Sequence, residues 1–238
     1  MANKNIVIFD TETDGGIVKG KFQPNLFAKG DASVIQYACI ALDTDKVEYI
    51  PGSEFFTWVL PEDIDDENYI ENHQDTLNWH ANLRDISVED FVNQIKENGI
   101  SQKLALEQFS EHVRQYGTPR AQPGAGGQNI RGFDLPIIDI LCTKYKVKPP
   151  FSAKWQNHWD LMDVTSKWFP YAEQAPRNLS MDTLRDWYRL EDPAGQSHDA
   201  LTDVKHEGYF IKRFMNLHKT MVRKIPNLNK RPSETVTL

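Results

Sequence analysis

Two carboxylates close an apolar run near the start of the chain, where Ile6-Val-Ile-Phe9 leads into Asp10-Thr11-Glu12. A strand sends alternate side chains to one face, so Asp10 and Glu12 project side by side at its end. Carboxylates held that close repel unless a cation lies between them, and a divalent ion is the usual answer. A solvated strand end running into an Asp14-Gly15-Gly16 turn would use the same residues. Asp65 and Glu67 repeat the spacing in a setting that suggests no site, so the pair leaves both readings open.

Two further segments carry groups of the same kind. In Asn129-Ile-Arg-Gly-Phe133-Asp134, the acid opens a helical pattern after a glycine-rich stretch, where it ordinarily complements the helix dipole. In Ser197-His198-Asp199-Ala200-Leu201-Thr202-Asp203, the histidine precedes a helix start and Asp203 lies about one turn inside. His80/Asp85 and His158/Asp163 have the same His-to-Asp spacing. The third case differs in context: Ala200 is small enough to let a helix lie close to a sheet, and the Pro193-Ala-Gly195 loop leaves His198 exposed. A lone loop histidine ordinarily does nothing, so the weight rests on the three segments together.

The elements that must position these groups read as one α/β domain. Ile6–Phe9 has the pattern of a strand buried on both faces. A second strand is expected over 33–42 and strand character over 46–60, broken at Pro51-Gly52, with a loop over 15–32 between the first two. Helices are expected over 75–81, 87–97 (Ser87 as N-cap), 101–116 (Leu104, Phe109 and Val113 inward) and 133–145. Pro119–Gly127 leaves room for a short strand, a short strand or extended piece is expected over 155–159, and helices over 161–168, 180–189 and 199–218. Val204, Gly208, Ile211 and Met215 fall on one side of the last helix. We expect a domain over 1–218 and a polar, basic tail over 219–238 that is solvated or extends the helix.

Composition narrows the function classes. Of 238 residues, 39% are hydrophobic, enough for a real core, and the net charge of −7 gives no general basic footprint for nucleic acid. Metal ions can supply positive charge at an acidic site, so nucleic acid stays open. Cys39 and Cys142 fit no metal spacing and read as buried, reduced thiols. Without a signal-peptide pattern or a membrane-length apolar run, the expected location is cytoplasmic.

The order Asp10-x-Glu12, Asn129-x-x-x-Phe133-Asp134, His198-x-Ala200-x-x-Asp203 resembles the DEDDh branch of the proofreading-type 3′–5′ exonucleases. Thr76-Leu-Asn-Trp79, Gly132-Phe-Asp-Leu-Pro136, Lys154-Trp-Gln-Asn157 and Ser197-His-Asp199 are similar to the phage-encoded exonuclease A type, which degrades single-stranded DNA. Two departures stand out. The first motif reads Asp-Thr-Glu-Thr-Asp-Gly where Asp-Thr-Glu-Thr-Thr-Gly is common, and Pro119–Gly127 is less apolar than the strand usually found before the second motif.

The resemblance implies an RNase H-like fold: a mixed five-stranded sheet, its first three strands antiparallel, flanked by helices. It also implies a phosphodiesterase that shortens single-stranded nucleic acid from its 3′ end and releases 5′-mononucleotides. DNA is favoured over RNA, and the setting is host cytoplasm if the chain is phage-encoded. No membrane and no obligate protein partner are expected. Asp10, Glu12, Asp134 and Asp203 would hold two divalent cations, Mg2+ or Mn2+; four carboxylates balance two dications set about 3.5–4 Å apart. His198, with an ordinary pKa of about 6.5, would be the general base. Thr11 and Thr13 would put backbone near the last nucleotide. Asn129 would contact substrate or cap local backbone, and Phe133 would pack in the core or against a base. The six tryptophans are candidates for stacking on bases, although the core is their ordinary place. An exoribonuclease of the same fold and a noncatalytic nucleic-acid-binding domain are the alternatives.

Overall fold

The computed structural model describes residues 5–168, 178–188 and 199–224. Its first strand, β1 (Asn5–Thr13), is the axis of the molecule. A hairpin of β2 (Ile17–Val18) and β3 (Lys21–Phe22) and a short α1 (Pro24–Lys29) follow, in the span expected to be loop. Next come β4 (Val34–Asp43), β5 (Glu48–Tyr49) and β6 (Phe55–Leu60). The helices α2 (Tyr69–Asn72), α3 (Gln74–Leu83) and α4 (Val88–Asn98) lead to β7 (Ile100–Ser101) and α5 (Gln102–Arg114). The rest comprises β8 (Gly124–Gly127), α6 (Asp134–Tyr145), β9 (Trp159–Asp160), α7 (Leu161–Trp168), α8 (Met181–Tyr188) and α9 (Ala200–Lys224).

The core sheet has the order β6-β4-β1-β8-β9, extended by the two-residue β7 at the β6 edge and by β5 beside β4. β1 and β6 both run antiparallel to β4, whereas β8 and β9 join in parallel. This is the mixed five-stranded, RNase H-like sheet that the motifs imply. Alternation along β1 divides the core. Val7 and Phe9 face α5 and α6, packing with Leu106, Phe109, Ile137 and Leu141. Ile6 and Ile8 face α9, packing with Val204, Phe210 and Ile211. A third cluster, around Ile35, Tyr69, Leu77 and Phe91, seats α2, α3 and α4 beyond the sheet end.

Three further local expectations change. Leu104 is 43% exposed and Leu106 takes the inward place on α5. Residues 155–157 form a 3-10 turn before β9. The last helix continues to Lys224, and the tail beyond it lies outside the described residues. β8 is Gly-Ala-Gly-Gly because its neighbours approach its backbone: a Cβ on Gly124 would lie 1.8 Å from the Asn157 carbonyl oxygen. That closeness explains why the segment lacks the apolar character of an ordinary buried strand. Ser87 caps α4 as expected, its hydroxyl accepting the Asp90 N–H at 3.0 Å. Among the described residues, no helix is long and apolar enough to cross a membrane.

Candidate active site

The alternation that sorts the core also builds the site. Asp10 and Glu12 follow Ile6 and Ile8 on the α9 face of β1, and Asp203 in the first turn of α9 comes down onto them. One carboxylate oxygen from each of Asp10, Glu12 and Asp203 falls within 4.8 Å of the others. The start of α9 is pinned there by sequence. Ala200 is fully buried, and its N–H donates to Oε1 of the buried Gln36 at 3.1 Å. Gln36 stands opposite Glu12 in the β1–β4 register.

Thr11 points to the other face, where Asp134 opens α6. Its N–H and hydroxyl both donate to Asp134 Oδ1, at 3.1 and 2.6 Å. Thr11 thus orients an acid, and the second Asp134 oxygen is left to the site. Burial raises the Asp134 carboxyl to about 7 despite those two bonds. Burial, reinforced by Glu12 and then Asp134, raises Asp10 well above the carboxylate range. Burial and Asp203 raise Glu12, with the Arg84 guanidinium opposing. The charges are crowded without counterions of matching number, which is the condition a bound cation relieves.

The four acids and Asn129 and Phe133 line a cavity of about 650 Å3. A second cavity, about 450 Å3, shares Thr11, Glu12, Ile17 and Phe133 with it and extends past Thr13 to Trp79 and His80. The shared residues join the two into one groove. Trp79 and Ile17 are 44% and 60% exposed along it, and Phe133 packs edge-on against Phe22. Asn129 is exposed with a left-handed backbone (φ 54°), and its N–H is held by Asp160 at 3.0 Å. Thr13 donates its hydroxyl to the Gly15 carbonyl, and its own carbonyl lies 3.0 Å from His80 Nε2. His198 lies outside the described residues.

Asp14, the departure in the first motif, turns away from the groove. Its fully buried carboxylate accepts the Ser33 N–H at 2.7 Å and the Tyr69 hydroxyl at 3.1 Å, and burial raises it to about 6. His73 spans the Asp14 carbonyl and Asp63 Oδ2, 3.1 Å from each. Asp14, Asp63 and His73 are near enough to hold an ion. Both ring nitrogens already have polar partners, so the group reads as a latch between the β1 end and α2–α3.

Sequence reasoning missed three residues. Asp160, 4% exposed, accepts the N–H groups of Asn129, Arg131 and Met162, each at 3.0 Å, and so fixes the backbone that carries Asn129. Arg84 donates to the His80 carbonyl at 3.1 Å and lies near Glu12, Asp199 and Asp203. Glu207, 3% exposed, stands one turn beyond Asp203 on the same face of α9 and lines the main cavity. Its spacing of four from Asp203 puts both on one helix face, a pattern that by itself ordinarily marks a solvated face.

No protein-family model and no curated protein matches the chain by sequence. Solved structures do match in fold. The nuclease domain of 3′hExo, a DEDDh family member bound to rAMP, superposes with a TM-score of 0.56 at 15% identity over 90% of this chain and 92% of that one. Cell-death related nuclease 4 gives 0.60 at 15% identity over 90% of this chain. Escherichia coli exonuclease I in complex with a dA13 oligonucleotide gives 0.55 at 16% over 92%. The chain spans 64% of the length of cell-death related nuclease 4 and 45% of that of exonuclease I. At these identities the likeness establishes the fold.

Proposed function

We propose that the protein is a divalent-cation-dependent 3′–5′ exonuclease acting on single-stranded DNA. The observation that carries this reading is the convergence of Asp10, Glu12 and Asp203 oxygens within 4.8 Å, at the head of a groove lined by exposed apolar side chains. Its donors are all carboxylate oxygens, which suit Mg2+ or Mn2+ and not a soft metal. Asp10, Glu12, Asp134 and Asp203 would hold two such ions. When bound, these supply charge neutralisation at the phosphate, a more acidic water and stabilisation of the leaving oxygen.

The chain's own residues do the rest. Ile17, Phe133 and Trp79 offer apolar faces on which unpaired bases can lie, and Thr11 fixes the orientation of Asp134. His198, just before α9, takes the proton from the attacking water. The water oxygen bonds to phosphorus as the bond from phosphorus to the 3′ oxygen breaks, and that oxygen takes up a proton from solvent. A 5′-mononucleotide leaves, and the shortened strand keeps a 3′-hydroxyl. Fold relatives that are 3′-exonucleases support the reaction class.

A second reading, an exoribonuclease, is favoured by two of those relatives: one is bound to rAMP and another recognises a histone mRNA stem-loop. The test separates the two. Matched DNA and RNA oligonucleotides labelled at the 5′ end are digested with Mg2+ or Mn2+, and again with EDTA. We expect a ladder shortening from the 3′ end on DNA, abolished by EDTA and by Asp10→Asn or Asp203→Asn. Preference for the RNA oligomer would move the assignment to the second reading. Both oligomers left intact with either metal would mean a noncatalytic domain.

A further inference from the structure

Glu207 has no part in the four-acid set, yet it is built into the same cavity. Its side chain is 3% exposed, on a helix whose preceding turn delivers Asp203. Oε1 accepts the Gln128 N–H at 2.9 Å. Oε2 is buried and has no hydrogen-bond partner among the described residues. Glycine at position 127 allows it to sit there: a Cβ would come within 3.2 Å of Oε2 and 2.5 Å of Ile130 Cγ2. Asp10, Asp134, Asp160 and Asp203 are all close enough to repel its charge. A buried carboxylate oxygen without a donor, in a cavity that other acids line, is among the costliest arrangements a fold can keep. Folds retain such groups where a ligand completes them.

We propose that Glu207 is a fifth carboxylate of the divalent-cation site, with Oε2 as an added oxygen donor from α9. The inference rests on the metal-site reading above and extends it to a residue outside the motif set. Oε1 is held by the backbone just past β8, so Oε2 is presented in a fixed direction, as an anchored ligand should be.

The test is calorimetric titration of Mn2+ into the purified protein without nucleic acid. Glu207→Gln keeps an oxygen for the Gln128 N–H and preserves volume, but removes the charge. Its Mn2+ affinity should fall at least about tenfold at one or more sites. Its fold should persist by circular dichroism, and its melting temperature in EDTA should rise. Mn2+ binding by Glu207→Gln equal to that of wild type overturns the proposal. Asp10→Asn separates the two levels. If Asp10→Asn loses Mn2+ and Glu207→Gln does not, only the role of Glu207 fails. If wild type binds no Mn2+, or Asp10→Asn binds it normally, the metal site itself fails and the fifth ligand with it. Should Glu207→Gln not fold, Glu207→Asp carries the same titration, because the shorter side chain withdraws the donor while keeping its charge.

Discussion

The crowding of acids at the head of β1 makes an unusual demand: the metal-free protein should be more stable after losing one of them. Asp134→Asn is the cleanest case. The asparagine oxygen can still accept both Thr11 bonds, now 3.1 and 2.6 Å from Oδ1, so only the charge is removed. A carboxyl ordinarily near 3.8 is held at about 7, chiefly by burial. Ionising it in the folded state at pH 8 therefore costs on the order of 4 kcal/mol relative to the unfolded chain. Neighbouring acids share that cost, so a gain of about 2–4 kcal/mol is the reasonable range. For a chain of this length it corresponds to a rise of about 5–15 °C in melting temperature.

The sign follows from the direction of the shift. A folded-state pKa raised above the unfolded value leaves stability intact below about 4 and removes it progressively as pH climbs to 7. The advantage of Asp134→Asn should thus be full at pH 8, about half as large at pH 5.5, and absent near pH 4. Thermal melts of both proteins in EDTA across that range measure it directly. Added Mn2+ should reverse the ranking, since wild type gains a ligand and the variant has lost a donor. A variant less stable than wild type at pH 8 in EDTA would refute the reasoning. So would an advantage that stays constant with pH.

Other perturbations probe the scaffold. His73→Ala removes the link between the Asp14 carbonyl and Asp63, and leaves that carbonyl unsatisfied. It should cost about 2 kcal/mol in urea melts, and no measurable loss would show the latch to be ornamental. Gly124→Ala drives a Cβ to within 1.8 Å of the Asn157 carbonyl oxygen, a backbone atom that cannot swing aside. We expect a loss of about 3 kcal/mol or more in the denaturant midpoint, and near-wild-type stability would mean that β8 and the 155–157 turn are not so closely apposed. Trp79, 44% exposed at the far end of the groove, should hold a base. Trp79→Ala should weaken binding of a single-stranded oligonucleotide by about 1–3 kcal/mol in fluorescence anisotropy, with melting unchanged.

What could be read from sequence was whatever depends on a single element. The both-faces burial of Ile6–Phe9 follows from an unbroken apolar run, and the placement of Asp10 and Glu12 follows from strand period alone. Asp134 at a helix start and Asp203 one turn into another were legible because caps and helical period are local. Glu207 was not, because an acid four residues after another on a helix ordinarily marks a solvated face. Only the approach of α9 to β8 turns it inward. Asp14 looked like turn chemistry, and its inward turn depends on partners from Ser33, Tyr69 and His73 that no local pattern announces. β8 was obscured for the opposite reason: its glycines erase the apolar signal that its burial would otherwise require.

The core and the site share one strand, and this sets how each can vary. On β1, even-numbered residues face α9 and odd-numbered residues face α5 and α6, so Ile6 and Ile8 lead to Asp10 and Glu12 while Val7 and Phe9 lead to Thr11. A slip of one residue would exchange the two series, placing Thr11 among the acids and the acids against α6. The pairing with β4 prevents it: the register runs unbroken from Asn5↔Asp43 to Glu12↔Gln36 and shifts only between Glu12 and Thr13. That irregularity falls just past the last acid and just before Asp14, the residue whose carboxylate is turned into the scaffold. The strand therefore keeps strict alternation as far as the site needs it and gives it up where α2 and α3 must be anchored. Substitutions that preserve apolar character within Ile6–Phe9 should be tolerated by both, whereas an insertion there should disable the site even if the core repacks.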